Sequence, residues 1–317
     1  MRFCRTNLIY DYLSDMSSAG PISLHMAMEL SDSNWDDLLI AIDNAGKDVD
    51  LNLSACTRGP SGTAYGLMSS GIFDPNPSDP TGKDKIVSLI LPEATEEIIG
   101  TTGSIATFEY FDYLTEITLG GNITTIGEQA FMNSNLERVT IGNSVTIIGD
   151  YAFRDCTSLS SVSFGNSITS IGDSAFILNN QLTKIALPNS VTSIGDNAFA
   201  FCDLSELIIG NDVQTIGVAA FSDNEITGEI IIPDSVNIIG DSAFFNNEIT
   251  KVTIPDNISI GWTAFYNNNS LNTVIFKGDN VTLYPNTFDG NLEGEFNAPG
   301  GGAGTYIYVG TIWVKQP

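Results

Sequence analysis

The sequence is poor in the residues that most often carry catalysis and metal binding. It has one histidine, His25, and 12 Lys and Arg against 38 Asp and Glu, a formal net charge of −26. The lack of a second histidine disfavours the common His-dependent triads and zinc sites, and the scarcity of basic residues disfavours nucleic acid and anionic lipid as partners. His25 lies among alternating apolar residues, so we expect a packed or solvated strand histidine and not a ligand or a base.

Membrane, secretion and redox motifs are also scarce. No apolar run reaches about 18 residues, so no membrane helix is expected. The N-terminus is basic, but its apolar stretch is short and interrupted by Asp11, so it is not a convincing signal peptide. None of the four cysteines forms a CxxC pair of the zinc or thioredoxin type. An apolar share of 42% is nevertheless enough for a sizeable core.

One phenylalanine recurs every 21 to 23 residues over most of the chain. An Ile-Gly step precedes seven of these residues in the same phase, as Ile194-Gly195 precedes Phe199. Two markers that stay in phase over so many periods indicate a repeat array. The series is Phe108, Phe131, Phe153, Phe176, Phe199, Phe221, Phe244, Phe265 and Phe288.

Each period contains a short alternating segment, such as 182–187, which predicts a strand. Pro or Gly usually ends it, and Asp-x-Ala-Phe then predicts a turn that opens a short helical or 3-10 piece. We interpret the glycines as tight turns or positions with positive φ. Stacked coils would pair their strands at about 4.8 Å and place the phenylalanines in one internal stack.

A second series lies three residues after each phenylalanine. Its members suggest a half-buried position whose side chain bonds the backbone of a neighbouring coil. Cys156 and Cys202 belong to it and lie two coils apart, about 9.6 Å by strand spacing. A disulfide needs a Cα separation of about 4.4–6.8 Å, so we expect free thiols. The series is Ser134, Cys156, Asn179, Cys202, Asn224, Asn247, Asn268 and Asn291.

The segment 182–199 reads Leu-Thr-x-Ile-x-Leu-Pro-x-Ser-Val-Thr-Ser-Ile-Gly-Asp-x-Ala-Phe and resembles the BspA-like leucine-rich repeat. The resemblance covers residues 86–291. It implies an α/β leucine-rich-repeat solenoid, β-rich with short helical or 3-10 turns, of about eight to nine coils of 21–23 residues. It also implies a cell-surface or secreted, non-enzymatic adhesion protein without cofactor or metal, whose partner is a host matrix protein or another cell-surface protein.

The flanks suggest separate roles. We expect residues 1–20 to be a mobile tail, residues 21–56 a strand–helix–strand cap on the open end of the solenoid, and residues 57–85 an exposed loop. Residues 292–317 are expected to form a hinge at Pro299–Gly304 and a hairpin around Gly310. This hairpin is either a terminal cap or an aromatic platform for a glycan, made by Tyr306, Tyr308 and Trp313.

The strand pattern predicts two rows of outward side chains. The first row mixes charges, with Lys184 and Lys251 among acidic residues, which indicates solvated cross-strand pairing. The second row is small and polar in its first half and gains isoleucine in its second half. We hypothesise that this second half contacts a partner, the alternative being β-propensity with modest exposure. The residues concerned are Ile208, Ile231, Thr253 and Ile275, flanked by Lys184 and Lys251.

A carboxylate follows most of the Ile-Gly steps, at Glu128, Asp150, Asp173, Asp196 and Asp241. We expect these side chains to cap the turn before Ala-Phe, the alternative being a column that binds divalent cations. No phosphate loop or nucleophile elbow is present, so an enzyme is the weaker functional class. A glycan-binding or structural surface array is the other alternative, but the aromatic residues do not mark one face.

Overall fold

A computed structural model of the chain describes residues 2–3, 21–26, 29–30, 32–52, 57–58, 85–90, 97–98, 113–119 and 122–317. The chain divides into two compact units, residues 1–165 and residues 166–317. Both contain the same coil, in which two short strands alternate with hydrogen-bonded turns. Repetition of this coil confirms the predicted solenoid, with about eight turns where about eight to nine coils were predicted. Phe108, most of the predicted tail 1–20 and most of the predicted loop 57–85 lie outside the described residues.

The first unit is dominated by parallel pairing. Seven strands form one sheet in the order β1-β2-β4-β6-β8-β10-β12, while β7, β9 and β11 pair in a second sheet and β3 pairs with β5. The elements are β1 (Arg2–Phe3), β2 (Ile22–Met26), β3 (Glu29–Leu30), α1 (Asp32–Ala45), β4 (Val49–Asn52), β5 (Thr57–Arg58), β6 (Ile86–Ile90), β7 (Glu97–Ile98), β8 (Glu116–Thr118), β9 (Thr125–Ile126), β10 (Arg138–Thr140), β11 (Ile147–Ile148) and β12 (Ser161–Ser163).

Strand, helix and strand follow one another in the segment where the sequence predicts a cap. β2 and β4 are paired in parallel, and α1 connects them. Leu38, Leu39 and Ile42 of α1 are buried at helical spacing. The helix ends at Gly46, which has φ +60° and donates its N–H to the carbonyl of Ile42 at 3.2 Å. A left-handed glycine of this kind is a common helix end.

In the second unit β14 pairs with β16, β18-β20-β22-β24-β25 form a second sheet, and β13-β15-β17-β19-β21-β23 form a third. Pairing is parallel except that β24 runs antiparallel to β22 and β25. The elements are β13 (Ser170–Ile171), β14 (Lys184–Ala186), β15 (Ser193–Ile194), β16 (Glu206–Ile208), β17 (Thr215–Ile216), β18 (Thr227–Ile231), β19 (Ile238–Ile239), β20 (Glu248–Ile254), β21 (Ile258–Ile260), β22 (Thr273–Phe276), β23 (Val281–Leu283), α2 (Leu292–Asn297), β24 (Gly304–Val309) and β25 (Ile312–Lys315).

Stacked phenylalanine rings occupy the interior of each unit. In the first, the rings of Phe131 and Phe153 lie parallel with centroids 5.0 Å apart. In the second, successive rings from Phe176 to Phe288 lie 5.0–5.4 Å apart. All eight described phenylalanines of the series have no exposed surface. Coils of nearly constant length thus bring the same side chain to the same place, one strand spacing apart.

The segments around Ala-Phe are successive turns and not the short helical pieces that the sequence predicts. Ser174 and Leu178 have φ of 54° and 65°, in the left-handed region, and most coils repeat such residues at both positions. A left-handed residue interrupts a right-handed helix and redirects its N–H. Ser174 and Leu178 donate theirs to Asp196 and Ala200 of the next coil, at 2.7 and 3.0 Å. The turns therefore add another set of hydrogen bonds between coils.

Of the two reasons predicted for the glycine of the Ile-Gly step, a tight turn or positive φ, positive φ is wrong. Gly217 is typical of these residues and does not have positive φ. A Cβ atom at Gly217 would lie 2.6 Å from the carbonyl carbon of Gly195 in the preceding coil. Glycine is therefore needed because two backbones approach closely at this corner of the coil.

The Ser/Cys/Asn series connects coils through the backbone, as the sequence predicts, although its members from Ser134 to Asn268 are buried and not half-buried, and Asn291 is exposed. Asn224 donates from Nδ2 to the carbonyl of Phe199 at 2.8 Å and accepts at Oδ1 from the N–H groups of Cys202 and Leu204, at 3.2 and 2.9 Å. Cys202 donates its thiol proton to the carbonyl of Phe176, at 2.9 Å. Asn and Cys therefore share the donor role. The Cys202 sulfur accepts the backbone N–H of Asn179, whereas the Asn224 oxygen accepts two N–H groups.

Candidate binding surface

Cross-strand ion pairs occupy the first outward row of the strands. In the second unit Lys184 Nζ lies 2.6 Å from Glu206 Oε1, and Lys251 Nζ lies 3.1 Å from Glu229 Oε1. In the first unit, an Arg138–Glu116 pair at 3.3 Å has the same arrangement. The predicted pairing of mixed charges is confirmed. These side chains are substantially exposed, so each pair contributes only about 0–1 kcal/mol.

The four residues of the second row differ in exposure. Ile208 and Ile231 are 65% and 58% exposed, whereas Thr253 is only 8% exposed and Ile275 is half-buried. The prediction of an outward, accessible Thr253 is therefore wrong. Its hydroxyl donates to Glu229 Oε1 at 3.2 Å, and the same oxygen binds Lys251, so the Glu229 side chain lies across this position. Ile275 is shielded because β24 pairs beside it, with Thr305 opposite.

Ile208 and Ile231 hold equivalent positions in successive coils but belong to separate sheets. Backbone pairing between β16 and β18 does not extend beyond the hydrogen bond from the N–H of Thr227 to the carbonyl of Ser205, at 3.2 Å. The register of β18 then shifts between Gly228 and Glu229, and Gly228 has φ +78°. This bulge lies between the two isoleucines, and the repeat period of the sequence does not predict it.

The C-terminal hairpin extends the outward apolar surface. Tyr306 pairs with Val274, and both side chains are buried, so the alternate residues of β24 point outward beside Ile275. Ile307 is half-buried on that side, and Val309, Ile312 and Val314 are 57%, 60% and 38% exposed. We call the outward set the aliphatic strand face. It comprises Ile208, Ile231, Ile275, Ile307, Val309, Ile312 and Val314.

Sequence reasoning predicted the two strands of the hairpin but missed their contribution to this face. The signal lies in the alternation of 306–309, which places aromatic residues on one side of β24 and aliphatic residues on the other. The aromatic side is the buried one.

The alternative interpretation of the hairpin, an aromatic platform for a glycan, is therefore wrong. Tyr306 and Trp313 are 0% and 2% exposed, and Tyr308 is half-buried with its ring centroid 5.0 Å from that of Trp313. The Tyr306 hydroxyl donates to the carbonyl of Gly302, and Trp313 Nε1 donates to that of Asp289, each at 2.7 Å. Burial of these large rings is favourable because their polar atoms still find acceptors.

A model of the BspA type leucine rich repeat region matches six copies in this chain, over residues 83–203 and 192–294. The matched segments make up about two thirds of the sequence. The chain belongs to the BspA-type leucine-rich-repeat family. No curated protein matches its sequence.

Several solved leucine-rich-repeat proteins are similar to this BspA-type chain. One from Bacteroides ovatus is 24% identical, with a TM-score of 0.44, over 62% of this chain and 69% of that one. One from T. pallidum is 23% identical, with a TM-score of 0.44, over 58% and 78%. A leucine rich cell surface protein from Faecalibacterium prausnitzii is 21% identical, with a TM-score of 0.41, over 80% and 73%. The family assignment rests on the repeat match.

Three of the carboxylates after Ile-Gly, Asp173, Asp196 and Asp241, connect BspA-type coils, a contact that differs from the predicted capping of their own turns. Asp173 Oδ1 accepts the N–H of Asp196 at 2.8 Å, and Asp196 Oδ1 accepts that of Val218 at 2.7 Å. Asp241 accepts the N–H of Trp262 in the same way, at 2.8 Å. The described residues contain no group of three or more His, Cys, Asp or Glu side chains placed to hold a metal ion.

Both described cysteines of the BspA-type coils, Cys156 and Cys202, are free and buried, as predicted. Cys156 donates to the carbonyl of Phe131 at 3.0 Å and also contacts the Ser134 hydroxyl. Burial removes water from the thiolate and raises the pKa of each thiol to about 12. Both groups therefore stay protonated at neutral pH and act as small hydrogen-bond donors.

We expect these thiols to resist labelling while the protein is folded. In a variant with Cys4→Ser and Cys56→Ser, a thiol-reactive disulfide reagent at about pH 8 should label neither cysteine, because the thiolate is the reactive form. Unfolding in urea should release two equivalents. Rapid labelling without denaturant, at the rate seen in urea, would contradict the buried hydrogen-bonded arrangement.

Proposed function

We propose that this chain is a non-enzymatic adhesion scaffold that is located at the cell surface or secreted. We propose that it binds a protein ligand through the aliphatic strand face. One observation carries the proposal: Ile208, Ile231 and Ile312 are each more than half exposed at strand positions. The same positions in the first unit are small and polar, at Thr140 and Ser163.

Exposed aliphatic side chains on the outward side of successive strands favour a binding role, because polar residues usually separate the apolar side chains of a surface that stays in contact with water. Protein interfaces commonly join an apolar centre to a charged rim. In the second unit, the Lys184–Glu206 and Lys251–Glu229 pairs flank Ile208 and Ile231 as such a rim would. Lys184 and Lys251 would then border the proposed contact.

A protein ligand fits this face better than a glycan does. Aliphatic residues offer no ring for a sugar to stack on, and the exposed Trp262 and Tyr284 belong to other parts of the coil. Membership of the BspA-type family, whose members are typically surface-exposed or secreted, supports the proposed location. Among the described residues, no helix is long and apolar enough to span a membrane.

Two variants test this face: the double variant Ile208→Lys/Ile231→Lys and, separately, Ile312→Lys. We expect each to weaken binding by at least about tenfold, as for central interface residues. The ligand for this comparison is the matrix protein that the wild type binds best. The wild type is first tested against purified fibronectin, laminin and collagen by surface plasmon resonance, beside a glycan array. Ile238→Lys is the matched control, because Ile238 is 49% exposed but lies on β19 of another sheet.

Two results would contradict this proposal. One is unchanged binding by the Ile208, Ile231 and Ile312 variants when their circular dichroism and melting match the wild type. The other is binding to the glycan array alone, which would favour the glycan alternative. An equal loss in the Ile238→Lys control would place the contact elsewhere on the second unit.

A further inference from the structure

The first unit contains a cavity whose lining residues do not belong to the aliphatic strand face. The cavity, of about 570 Å³, opens on the outward side of β2, β4, β6, β8 and β10. This volume is within the usual range for small-ligand pockets, about 300–1,000 Å³. Its lining includes His25, which is exposed on β2 and is thus the solvated strand histidine that the sequence predicts.

Strand register arranges the polar lining of this cavity in one row. Ser23 lies opposite Asp50, Asp50 opposite Ser88, Ser88 opposite Glu116, and Glu116 opposite Arg138. Adjacent strands lie about 4.8 Å apart, so the row from Asp50 to Arg138 extends over about 14 Å. His25 belongs to the same face, two residues from Ser23 along β2.

Charge within the row is unevenly balanced. Arg138 lies 3.3 Å from Glu116 and 3.7 Å from Glu137, so Glu116 has a cationic partner. Asp50 is half-buried and accepts a hydrogen bond from the Ser88 hydroxyl at 2.9 Å. Among the described residues, Asp50 has no ion-pair partner. The Ser88 hydroxyl therefore orients a carboxylate whose charge is left for a ligand to neutralise.

We infer that this cavity binds an ammonium or guanidinium group, with Asp50 as its charge partner. The group is carried either by a free amine or by a Lys or Arg side chain of a peptide. A charge-assisted hydrogen bond to Asp50 would be strong because that carboxylate is partly shielded from water. Among the described residues, no Phe, Tyr or Trp lines the cavity, so a stacked sugar is the weaker fit.

The two sources of the cation are separated by titrating the full-length protein with three probes in a calorimeter. These are the blocked peptide Gly-Gly-Lys-Gly-Gly, the same peptide with Nε-acetyl-lysine, and the diamine cadaverine. We expect the lysine peptide or cadaverine to bind and the acetylated peptide not to bind. Asp50→Asn should weaken the binding by about tenfold or more, as for loss of a charge-assisted hydrogen bond. Asp48→Asn, an exposed acid beside the same strand, is the control and should change nothing.

His25 gives a second readout that needs no substitution. It is the sole histidine of the chain, so its ring resonances are assigned without ambiguity. Since His25 lines the cavity, a bound probe should shift them. Equal binding of the acetylated peptide, unaltered affinity in Asp50→Asn, or unmoved His25 resonances at saturating lysine peptide and cadaverine would each overturn the inference. None of these outcomes depends on the aliphatic strand face.

Discussion

Replacement of Phe199 by alanine is expected to lower the free energy of unfolding by about 3–5 kcal/mol, the usual cost of removing a buried ring. Phe199 has no exposed surface and lies between Phe176 and Phe221, with ring centroids 5.1 and 5.4 Å away. Alanine would forfeit both stacking contacts and leave a cavity that the coils on either side cannot fill, because their backbones are held in register by hydrogen bonds.

Urea unfolding followed by circular dichroism measures this loss, as a lower midpoint. Phe201→Ala is the matched control because Phe201 is in the same coil but 45% exposed. Its removal should change the free energy of unfolding by no more than about 0.5 kcal/mol. In a repeat array, stability depends on contacts between neighbouring coils. If the unit unfolds cooperatively, the substitution should shift the urea midpoint and leave unchanged the slope of the free energy of unfolding against urea concentration. Equal effects of the two substitutions would show that the internal stack is not the main source of stability.

The parts of the fold that repeat were predictable from the sequence. Equal coil length forces equivalent residues into contact, so the phase of the phenylalanines predicted the stack, and the alternation of 182–187 predicted which strand residues point outward. The backbone of the turns was not predictable in the same way. Leu178 and Phe201 have left-handed φ without being glycine, asparagine or aspartate, because hydrogen bonds to the next coil favour that conformation.

The candidate surfaces were only partly predictable, because exposure depends on features that occur once. Ile208 and Ile231 follow from the period, whereas the burial of Thr253 depends on the Glu229 side chain that crosses it. The hairpin strands β24 and β25 were predicted, but their position beside β22 is set by residues outside the repeat. The cavity around Asp50 was likewise not predictable, because it depends on the pairing of β4 with β6. The sequence predicted only a loop between these two strands.

Replacement of Asn224 by leucine should lower the free energy of unfolding about as much as Phe199→Ala does, although asparagine and leucine have similar size. Asn224 accepts from the N–H groups of Cys202 and Leu204 and donates to the carbonyls of Phe199 and Phe221, the latter at 3.1 Å. Leucine leaves these buried groups unpaired, at about 1–3 kcal/mol for each that finds no other partner. We expect a total loss of about 3–5 kcal/mol in the free energy of unfolding.

Asn224→Cys should cost roughly half as much, and this difference tests how the buried series works. Cysteine keeps a donor for the phenylalanine carbonyl, as Cys202 does toward Phe176. Its sulfur is a weak acceptor for one N–H, as that of Cys202 is for Asn179, and the second N–H has another acceptor. Leu182, in the coil before Cys202, donates its N–H to the backbone carbonyl of Asn179 at 2.9 Å. Leu204 has the same alternative in the carbonyl of Cys202. Urea midpoints of the two variants should therefore rank leucine below cysteine and cysteine below the wild type. Equal midpoints for leucine and cysteine would mean that packing, and not hydrogen bonding between coils, selects Asn at this position.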